Sequence, residues 1–292
     1  MPNLEKIKEN KTTEELLEFG IINIDKPSNP TSFDVSDFVR KKLNLRKTSH
    51  FGTLDPKVTG VLPIALNRAC KLTGFFLGED KQYVGIMKIH DEVSIEEVER
   101  AIKEKFLGKI KQTPPKKSRV KRQEREREVM RFEILEKNGN DFVFLAEVQG
   151  GTYIRKLVSD LGDYMKTGAH MLELRRVRAG IFNENESANL YDFKNAVDEY
   201  KNGNDEKLRK MIIPAEIVSE VYSAVEVKKD SVKNLLTGKP IIKKNLIGKS
   251  DFEKDEIVSV FCGERFIGMY KVADSGEIFA KAEFVLQSIK NG

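Results

Sequence analysis

The spacing of apolar residues along the first two thirds of the chain predicts both strands and helices. Apolar runs and alternations, each ended by glycine, proline or polar residues, predict strands at residues 20–24, 83–90 and 142–148. Apolar residues repeated at intervals of three and four predict helices at residues 32–45, 95–106 and 154–161. Ser94 and Glu97 form a capping-box pattern at the start of the second helix.

The last quarter of the chain has a different pattern. Pro214 follows a polar stretch, residues 198–210, that we interpret as helix and linker. Short apolar segments punctuated by glycines then predict strands at residues 224–228, 257–261 and 266–272. We therefore expect a small β-rich domain at this end.

Composition places the chain among soluble globular proteins. Its 292 residues are 39% apolar and 33% charged, enough for one large and one small domain. Without an apolar run of 18 residues or a signal-peptide pattern, we expect a cytoplasmic protein with no membrane contact. Cys70 and Cys262 lie far apart, and the three histidines make no ligand-spaced cluster with them, so we expect no metal or disulfide framework.

Charge is distributed unevenly, although the net charge is only +5. Residues 109–128 hold nine basic and three acidic side chains, a local excess of six positive charges. Such a patch binds nucleic acid by releasing counterions from the phosphates. A solvated basic loop explains the same residues, and composition alone favours neither interpretation.

Two loops carry candidate chemistry. In residues 52–60, glycines at both ends and Pro56 after Asp55 are suited to present one carboxylate from a rigid turn. Alone, however, an Asp-Pro pair is typical of ordinary turns. Arg155 and Lys156 lie where a strand gives way to a helix, and cations at a helix amino terminus are unfavourable unless an anion faces them.

Five segments occur in the order found in dyskerin and its archaeal counterparts, and together they cover roughly residues 20 to 180. They are Lys26-Pro27 with Thr31-Ser32, residues 50–60 (HFGTLDPKVTG), residues 81–85 (KQYVG), residues 151–157 (GTYIRKL) and residues 173–180 (ELRRVRAG). The chain thus resembles this family, which also includes bacterial synthases acting on the T-loop of tRNA. The resemblance implies an α/β (α+β) fold with a mixed, largely antiparallel sheet flanked by helices. It also implies an isomerase that converts uridine in RNA to pseudouridine without a cofactor.

Carried over residue by residue, the resemblance makes Asp55 the catalytic carboxylate. It assigns substrate binding to five side chains, with Tyr83 stacking on the target base, Arg155 pairing with Asp55, Leu174 and Tyr153 lining the pocket, and His50 contacting the flipped or a neighbouring nucleotide. Each has a structural alternative when taken alone. Tyr83 could be a core tyrosine, Tyr153 could pack on a strand, Leu174 could lie in a helix core, and His50 could be a loop histidine.

Other positions refine the resemblance. Residues 114–122 (PPKKSRVKR) resemble the proline-serine-basic segment of the dyskerin type. The resemblance implies RNA binding by Lys26, Lys116, Lys117, Lys121 and Arg122. Three places depart from the family pattern: Phe51 replaces a small residue, Phe33 replaces a histidine, and Gln149-Gly150 replaces residues that are often acidic or small.

The resemblance also implies a domain plan and partners. We expect an amino-terminal extension (residues 1–18), a catalytic domain (residues 19–215) and a PUA domain (residues 219–292). In dyskerin-like proteins the PUA domain, packed with the extension, holds an H/ACA guide RNA that selects the target uridine. Expected partners are therefore guide RNA, substrate RNA (ribosomal RNA, possibly tRNA) and small proteins of the H/ACA particle. A nucleolar location is expected only if the source is eukaryotic.

Three functions remain open on the sequence. They are RNA-guided pseudouridylation, stand-alone modification of tRNA, and a non-catalytic RNA-binding scaffold. The dyskerin-like residues of the motifs favour RNA-guided pseudouridylation. The presence of Asp55, Tyr83 and Arg155 disfavours a non-catalytic scaffold.

Overall fold

The computed structural model describes residues 2–114, 123–248 and 251–287. In chain order, the helices are α1 (Leu4–Asn10), α2 (Thr13–Glu18), α3 (Ser32–Lys42), α4 (Thr73–Leu77), α5 (Ile95–Lys105), α6 (Ile154–Met165), α7 (Leu190–Lys201), α8 (Glu206–Met211) and α9 (Val232–Leu235). Within the described ranges, no helix is long and apolar enough to cross a membrane.

The strands are β1 (Gly20–Lys26), β2 (Thr48–His50), β3 (Thr59–Leu66), β4 (Lys81–Ile89), β5 (Gly108–Gln112), β6 (Arg125–Asn138), β7 (Asp141–Val148), β8 (Ala169–Ala179), β9 (Phe182–Asn183), β10 (Ala188–Asn189), β11 (Ile212–Pro214), β12 (Ala224–Val227), β13 (Ile241–Ile242), β14 (Leu246–Ile247), β15 (Ile257–Cys262), β16 (Arg265–Ser275) and β17 (Ile278–Val285). Every strand and helix predicted from local periodicity is present, with ends shifted by a few residues. The capping box also forms, because the Glu97 N–H donates to the Ser94 hydroxyl and the Ser94 N–H donates to the Glu97 carboxylate.

The chain divides into two compact units. The smaller unit comprises Met1–Ile21, Ala65–Leu72 and Ile212–Gly292, and the larger unit comprises Ile22–Ile64 and Thr73–Met211.

The larger unit is built on a mixed sheet with the strand order β10-β1-β3-β8-β4-β7-β6-β5. Pairing is antiparallel from β8 to β5, whereas β1 pairs with β10, and β3 with β8, in parallel. The largely antiparallel α/β fold expected from the resemblance is therefore confirmed. In the parallel register Gly60 lies opposite Arg176, which brings the end of the Asp55 loop against β8.

Helices α5 and α6 pack on this sheet over one apolar core. Alternation along β7 buries Phe142, Phe144, Ala146 and Val148 on the core face. The same core contains Ile154 and the other apolar residues of α6, so the helix that carries Arg155 rests on the central strands.

The smaller unit contains a sheet of order β13-β17-β16-β15-β12-β14. This confirms the predicted β-rich character of the carboxy-terminal end. The amino-terminal helices belong to this unit. Lys6 forms an ion pair with Glu264, and the Phe19 ring stacks on Phe266 at 5.4 Å between centroids.

Candidate active site

Asp55 and Arg155 form an ion pair, as the resemblance implies. The Nη2 atom of Arg155, the second residue of α6, contacts Oδ2 of Asp55. Both side chains remain accessible, with 56% of Asp55 and 61% of Arg155 exposed. Because no acidic residue lies in the first turn of α6, Asp55 supplies the anion that its positive end favours. Lys156, the other cation of this turn, pairs instead with Asp160 at 2.7 Å.

Buried neighbours hold the loop that carries Asp55. Leu54 and Val58 are both buried in the core of the larger unit. The Ser32 hydroxyl accepts a hydrogen bond from the Leu54 N–H at 2.8 Å and donates one to the Leu54 carbonyl at 3.1 Å. The Val58 N–H closes the turn by donating to the Asp55 carbonyl at 3.0 Å. The backbone on both sides of the carboxylate is therefore fixed.

Lys26, for which an RNA contact was predicted, lies inside the structure rather than on its surface. Its side chain is fully buried, and its ammonium group donates to the carbonyls of Pro27, Pro30 and Pro56 at 2.8, 2.8 and 2.9 Å. An ammonium has three N–H donors, so none is left for a phosphate. Burial lowers the pKa of Lys26, and the negative charge of Asp55 opposes this shift. Lys26 thus ties the loop after β1 to the residue that follows Asp55.

Arg176 on β8 holds both ends of the same loop. Its buried guanidinium donates from Nε to the Val61 carbonyl at 2.8 Å and from Nη2 to the Gly52 carbonyl at 3.1 Å. Gly60 approaches Arg176 so closely that a Cβ there would lie 2.1 Å from the Arg176 carbonyl oxygen. Its φ of +102° is also one that side chains other than glycine rarely adopt. The glycine at the end of the loop is therefore required by the packing of β3 on β8.

Phe51, at a position where the family usually has a small residue, packs in an aromatic cluster with Phe76 and Phe182. Its ring is buried, stacks on Phe76 at 4.7 Å between centroids and lies 5.8 Å from Phe182. The departure from the family pattern thus anchors the start of the loop.

The electrostatic surroundings of the loop are cationic. Burial lowers the pKa of Lys81 to about 8, and the nearby charge of Arg176 contributes to the shift. The Lys81 ammonium donates to the Leu77 carbonyl at 2.9 Å. Burial and the Arg176 charge also lower the pKa of His50, whose Nε2 lies 3.2 Å from the Thr53 hydroxyl. His50 is therefore neutral at pH 7, which suits a hydrogen-bonding contact better than a phosphate contact.

Tyr83 and Leu174 lie on the neighbouring central strands β4 and β8. Tyr83 is opposite Arg176, and Leu174 is opposite Gly85. Both side chains are buried in the cluster that contains Leu54. Leu174 is a strand residue, so the alternative that placed it in a helix core is wrong. The backbone alternation of β8 turns it toward the core.

Tyr153 is the residue immediately before α6. Its backbone is held by Gln112, the buried last residue of β5, which accepts from the Tyr153 N–H at 2.9 Å and donates to the Tyr153 carbonyl at 3.2 Å. Tyr153 is the N-cap residue of α6, and its side chain makes no capping hydrogen bond. The Gln112 amide thus fixes the approach to Arg155.

The predicted basic patch is partly neutralised within its hairpin. Lys109 pairs with Glu126 at 3.0 Å and Lys111 with Glu124 at 3.8 Å across β5 and β6. Lys116, Lys117, Lys121 and Arg122 lie outside the described residues. Across the parts of the chain that are described, no group of three or more histidine, cysteine or acidic side chains could hold a metal ion.

Sequence reasoning missed several groups that position the site. Ser32, Arg176 and Gln112 each act through backbone partners more than 20 residues away. Local periodicity carries no signal for such contacts. For Lys26 the sequence shows that nearby prolines lack N–H donors, but not that the ammonium meets the Pro56 carbonyl 30 residues away.

Two family profiles match consecutive parts of this chain. Residues 40–154 match the profile of the TruB family pseudouridylate synthase amino-terminal domain, and residues 155–219 match that of the tRNA pseudouridylate synthase B carboxy-terminal domain.

Relatives and solved structures extend the match. A probable tRNA pseudouridine synthase B of Methanococcus maripaludis is 43% identical over 86% of this chain and 76% of its own length. Among solved structures, a chain of a Cbf5-Nop10-Gar1 complex has a TM-score of 0.88 and 35% identity, covering 95% of this chain and 88% of that one. A chain of an H/ACA ribonucleoprotein bound to a substrate RNA containing 2′-deoxyuridine has a TM-score of 0.86 and 33% identity, covering 96% and 89%.

Proposed function

This chain belongs to the TruB family of pseudouridylate synthases, and on that premise we propose that it isomerises uridines selected by an H/ACA guide RNA. Family membership makes it a pseudouridine synthase, which is an RNA-modifying isomerase. The guide RNA, the ribosomal targets and the roles of individual residues belong to the proposal.

Asp55 is the catalytic carboxylate of this proposal. It assists cleavage of the bond between the ribose C1′ and uracil N1, after which the uracil turns and C5 bonds to C1′. The C5 proton is lost and N1 gains one, so the reaction balances without a cofactor. The anchoring of Leu54, Val58 and Pro56 supports this role, because a catalytic group is effective only when held close to its working geometry.

The neighbours of Asp55 bind the flipped nucleotide. Arg155 orients the carboxylate, and Tyr83 stacks on the uracil, an interaction worth roughly 1–3 kcal/mol per base. Leu174 and Tyr153 line the pocket, and the neutral His50 contacts the flipped or adjacent nucleotide. The cluster that Tyr83 and Leu174 share with Leu54 supports their closeness to the Asp55 loop, whereas the burial of Tyr83 also fits the alternative of a core tyrosine.

Guide dependence rests on one observation, the likeness to Cbf5 chains over nearly the whole length of this protein. The match covers 95% of the chain and so extends into the carboxy-terminal unit. We infer small protein partners, as in the Cbf5-Nop10-Gar1 complex. We also infer a catalytic domain at residues 19–215, followed in the sequence by a guide-holding PUA domain at residues 219–292. Stand-alone modification of tRNA is the second candidate, and the name of the 43% identical relative favours it.

One assay separates the two candidates. Pseudouridine formation is measured on a T-loop tRNA and on a guide-paired ribosomal RNA fragment, with and without partner proteins. Wild type is compared with Asp55→Asn and with Asp198→Asn, a matched change at an exposed acid of α7. Activity only with the guide, lost in Asp55→Asn and kept in Asp198→Asn, is the expected result. Asp55-dependent activity on tRNA alone would replace guided with stand-alone modification, and activity of Asp55→Asn would refute the assigned mechanism.

A further inference from the structure

Phe33 is a large apolar side chain left in water beside the candidate active site. It lies in the first turn of α3 and is 70% exposed. Capping does not require it, because Thr31 and Asp34 form the capping box of this helix between themselves. The resemblance would place a histidine here, so Phe33 is a feature of this chain rather than of the family pattern.

The fold fixes Phe33 next to the Asp55 loop. Ser32 and Ser36, four residues apart and so on one face of α3, are both anchored. Ser32 binds the Leu54 backbone, and Ser36 donates to the Thr48 hydroxyl at 2.9 Å on the strand that ends at His50. Phe33 follows Ser32 by about 100° around the helix, so it flanks the anchored face rather than opposing it.

The segment before α3 is held as firmly as the helix itself. The Asn29 N–H donates to the Pro56 carbonyl at 3.0 Å, and Lys26 joins Pro30 to the same carbonyl. The start of α3 and the residue after Asp55 are therefore one rigid assembly. An exposed ring on such a support loses little conformational freedom when a ligand covers it.

We propose that Phe33 is a substrate contact whose ring stacks on a base next to the target uridine. Flipping the uridine removes the stacking partner of its neighbours, at a cost of a few kcal/mol. An aromatic ring beside the site replaces that partner, and because every base has a π face, the contact does not depend on base identity. The inference rests on the proposed role of Asp55 but not on the choice between guided and stand-alone modification.

The test uses three variants of Phe33 and a matched aromatic control. Phe33→Ala removes the ring, Phe33→Leu keeps apolar volume without a π face, and Phe33→His keeps a flat ring. The control is Tyr164→Ala, because Tyr164 is an exposed aromatic near the other end of α6, about 13 Å along the helix from Arg155. Melting temperatures verify that all four variants fold.

The readout is binding and single-turnover modification on the RNA that the wild type modifies. In a second set, each RNA carries a single abasic nucleotide, placed at one of the two positions 5′ or one of the two positions 3′ of the target. On intact RNA, Phe33→Ala and Phe33→Leu should weaken binding roughly 5- to 150-fold, the range that base–aromatic stacking corresponds to. Phe33→His and Tyr164→Ala should remain close to wild type.

A double-mutant cycle decides the outcome. If Phe33 stacks on a base, the effect of Phe33→Ala disappears on one abasic RNA and persists on the others. The slope of affinity against salt should not change, since a ring neutralises no phosphate. The proposal would be overturned if Phe33→Ala lost the same affinity on every abasic RNA, or lost none on intact RNA. Asp55→Asn on the intact RNA tests the catalytic assignment separately, so the two can fail independently.

Discussion

Lys26 offers the sharpest test of how the active-site loop is held. Lys26→Met keeps nearly the same side-chain length and removes the ammonium that binds the carbonyls of Pro27, Pro30 and Pro56. If Lys26 is an internal clamp, the variant should lose stability and catalytic rate. If it is the RNA contact suggested by its motif, the variant should lose affinity alone.

The expected loss of stability follows from the buried geometry. Each carbonyl left without a donor in a buried site costs about 1–3 kcal/mol. Removing the ammonium also relieves its own desolvation, which is the effect that lowers the pKa of Lys26. We expect a net loss of about 3 kcal/mol, within the range for breaking a buried charged arrangement. For a unit of roughly 150–250 residues this lowers the melting temperature by about 6–12 °C.

The rate should fall independently of stability. Pro56 follows Asp55 directly, and a displacement of about 1 Å at a catalytic group can cost on the order of 10²-fold in rate. Single-turnover modification at a temperature where the variant is folded measures this loss, and RNA titration measures affinity. Lys88→Met, which removes an exposed ion pair with Asp141, is the matched control and should change stability by less than about 1 kcal/mol. Unchanged stability together with weakened RNA binding in Lys26→Met would refute the clamp.

Three further predictions concern the same loop. Gly60→Ala should lower the free energy of unfolding, measured in urea, by more than about 3 kcal/mol. The added Cβ would meet the Arg176 carbonyl, and the positive φ of this residue disfavours any side chain. An unchanged free energy of unfolding would contradict the strand packing described above. Relative to Lys81→Met, the wild type should gain up to about 3 kcal/mol of stability as pH rises from about 8 to 10.5, because the unfolded chain then holds a proton that folded Lys81 has lost. If the difference in unfolding free energy between wild type and Lys81→Met stayed constant over that pH range, the Lys81 ammonium would not be desolvated. Phe51→Ala should cost about 3–5 kcal/mol through the cavity it leaves against Phe76, and a loss under about 1 kcal/mol would mean that the cluster is dispensable.

Local sequence rules recover the helices and strands that they predict, because each signal acts within a few residues, but they gave no strand for β6 or β8. The capping box of Ser94 and Glu97, the alternation along β7 and the spacing of apolar residues in α6 all predict elements that form. The same rules say nothing about strand order. No periodicity indicates that Gly60 lies beside Arg176, 116 residues later, or that β3 and β8 run parallel.

The candidate site is predictable only where a motif supplies the long-range partner. Asp55 and Arg155 are 100 residues apart, and their pairing followed from the resemblance together with the unfavourable placement of a cation at a helix start. The fate of Lys26 could not be predicted in the same way. Whether a lysine faces phosphate or carbonyl oxygens depends on where two proline-containing loops meet, and that is a property of the folded backbone.

The exposure of the Asp55–Arg155 pair explains why so many contacts anchor the surrounding backbone. With more than half of each side chain in water, the pair gains little from its own attraction and cannot fix the loop by itself. The position of the carboxylate therefore depends on buried neighbours, namely the Ser32 hydroxyl that binds the Leu54 backbone and the Lys26 ammonium that binds the Pro56 carbonyl. In the proposed function a flipped nucleotide would exclude water from this pair, and the attraction between Asp55 and Arg155 would then strengthen in the lower dielectric. On that proposal the hydrogen bonds hold the loop before RNA arrives, and the ion pair would reach its full strength only with the substrate bound.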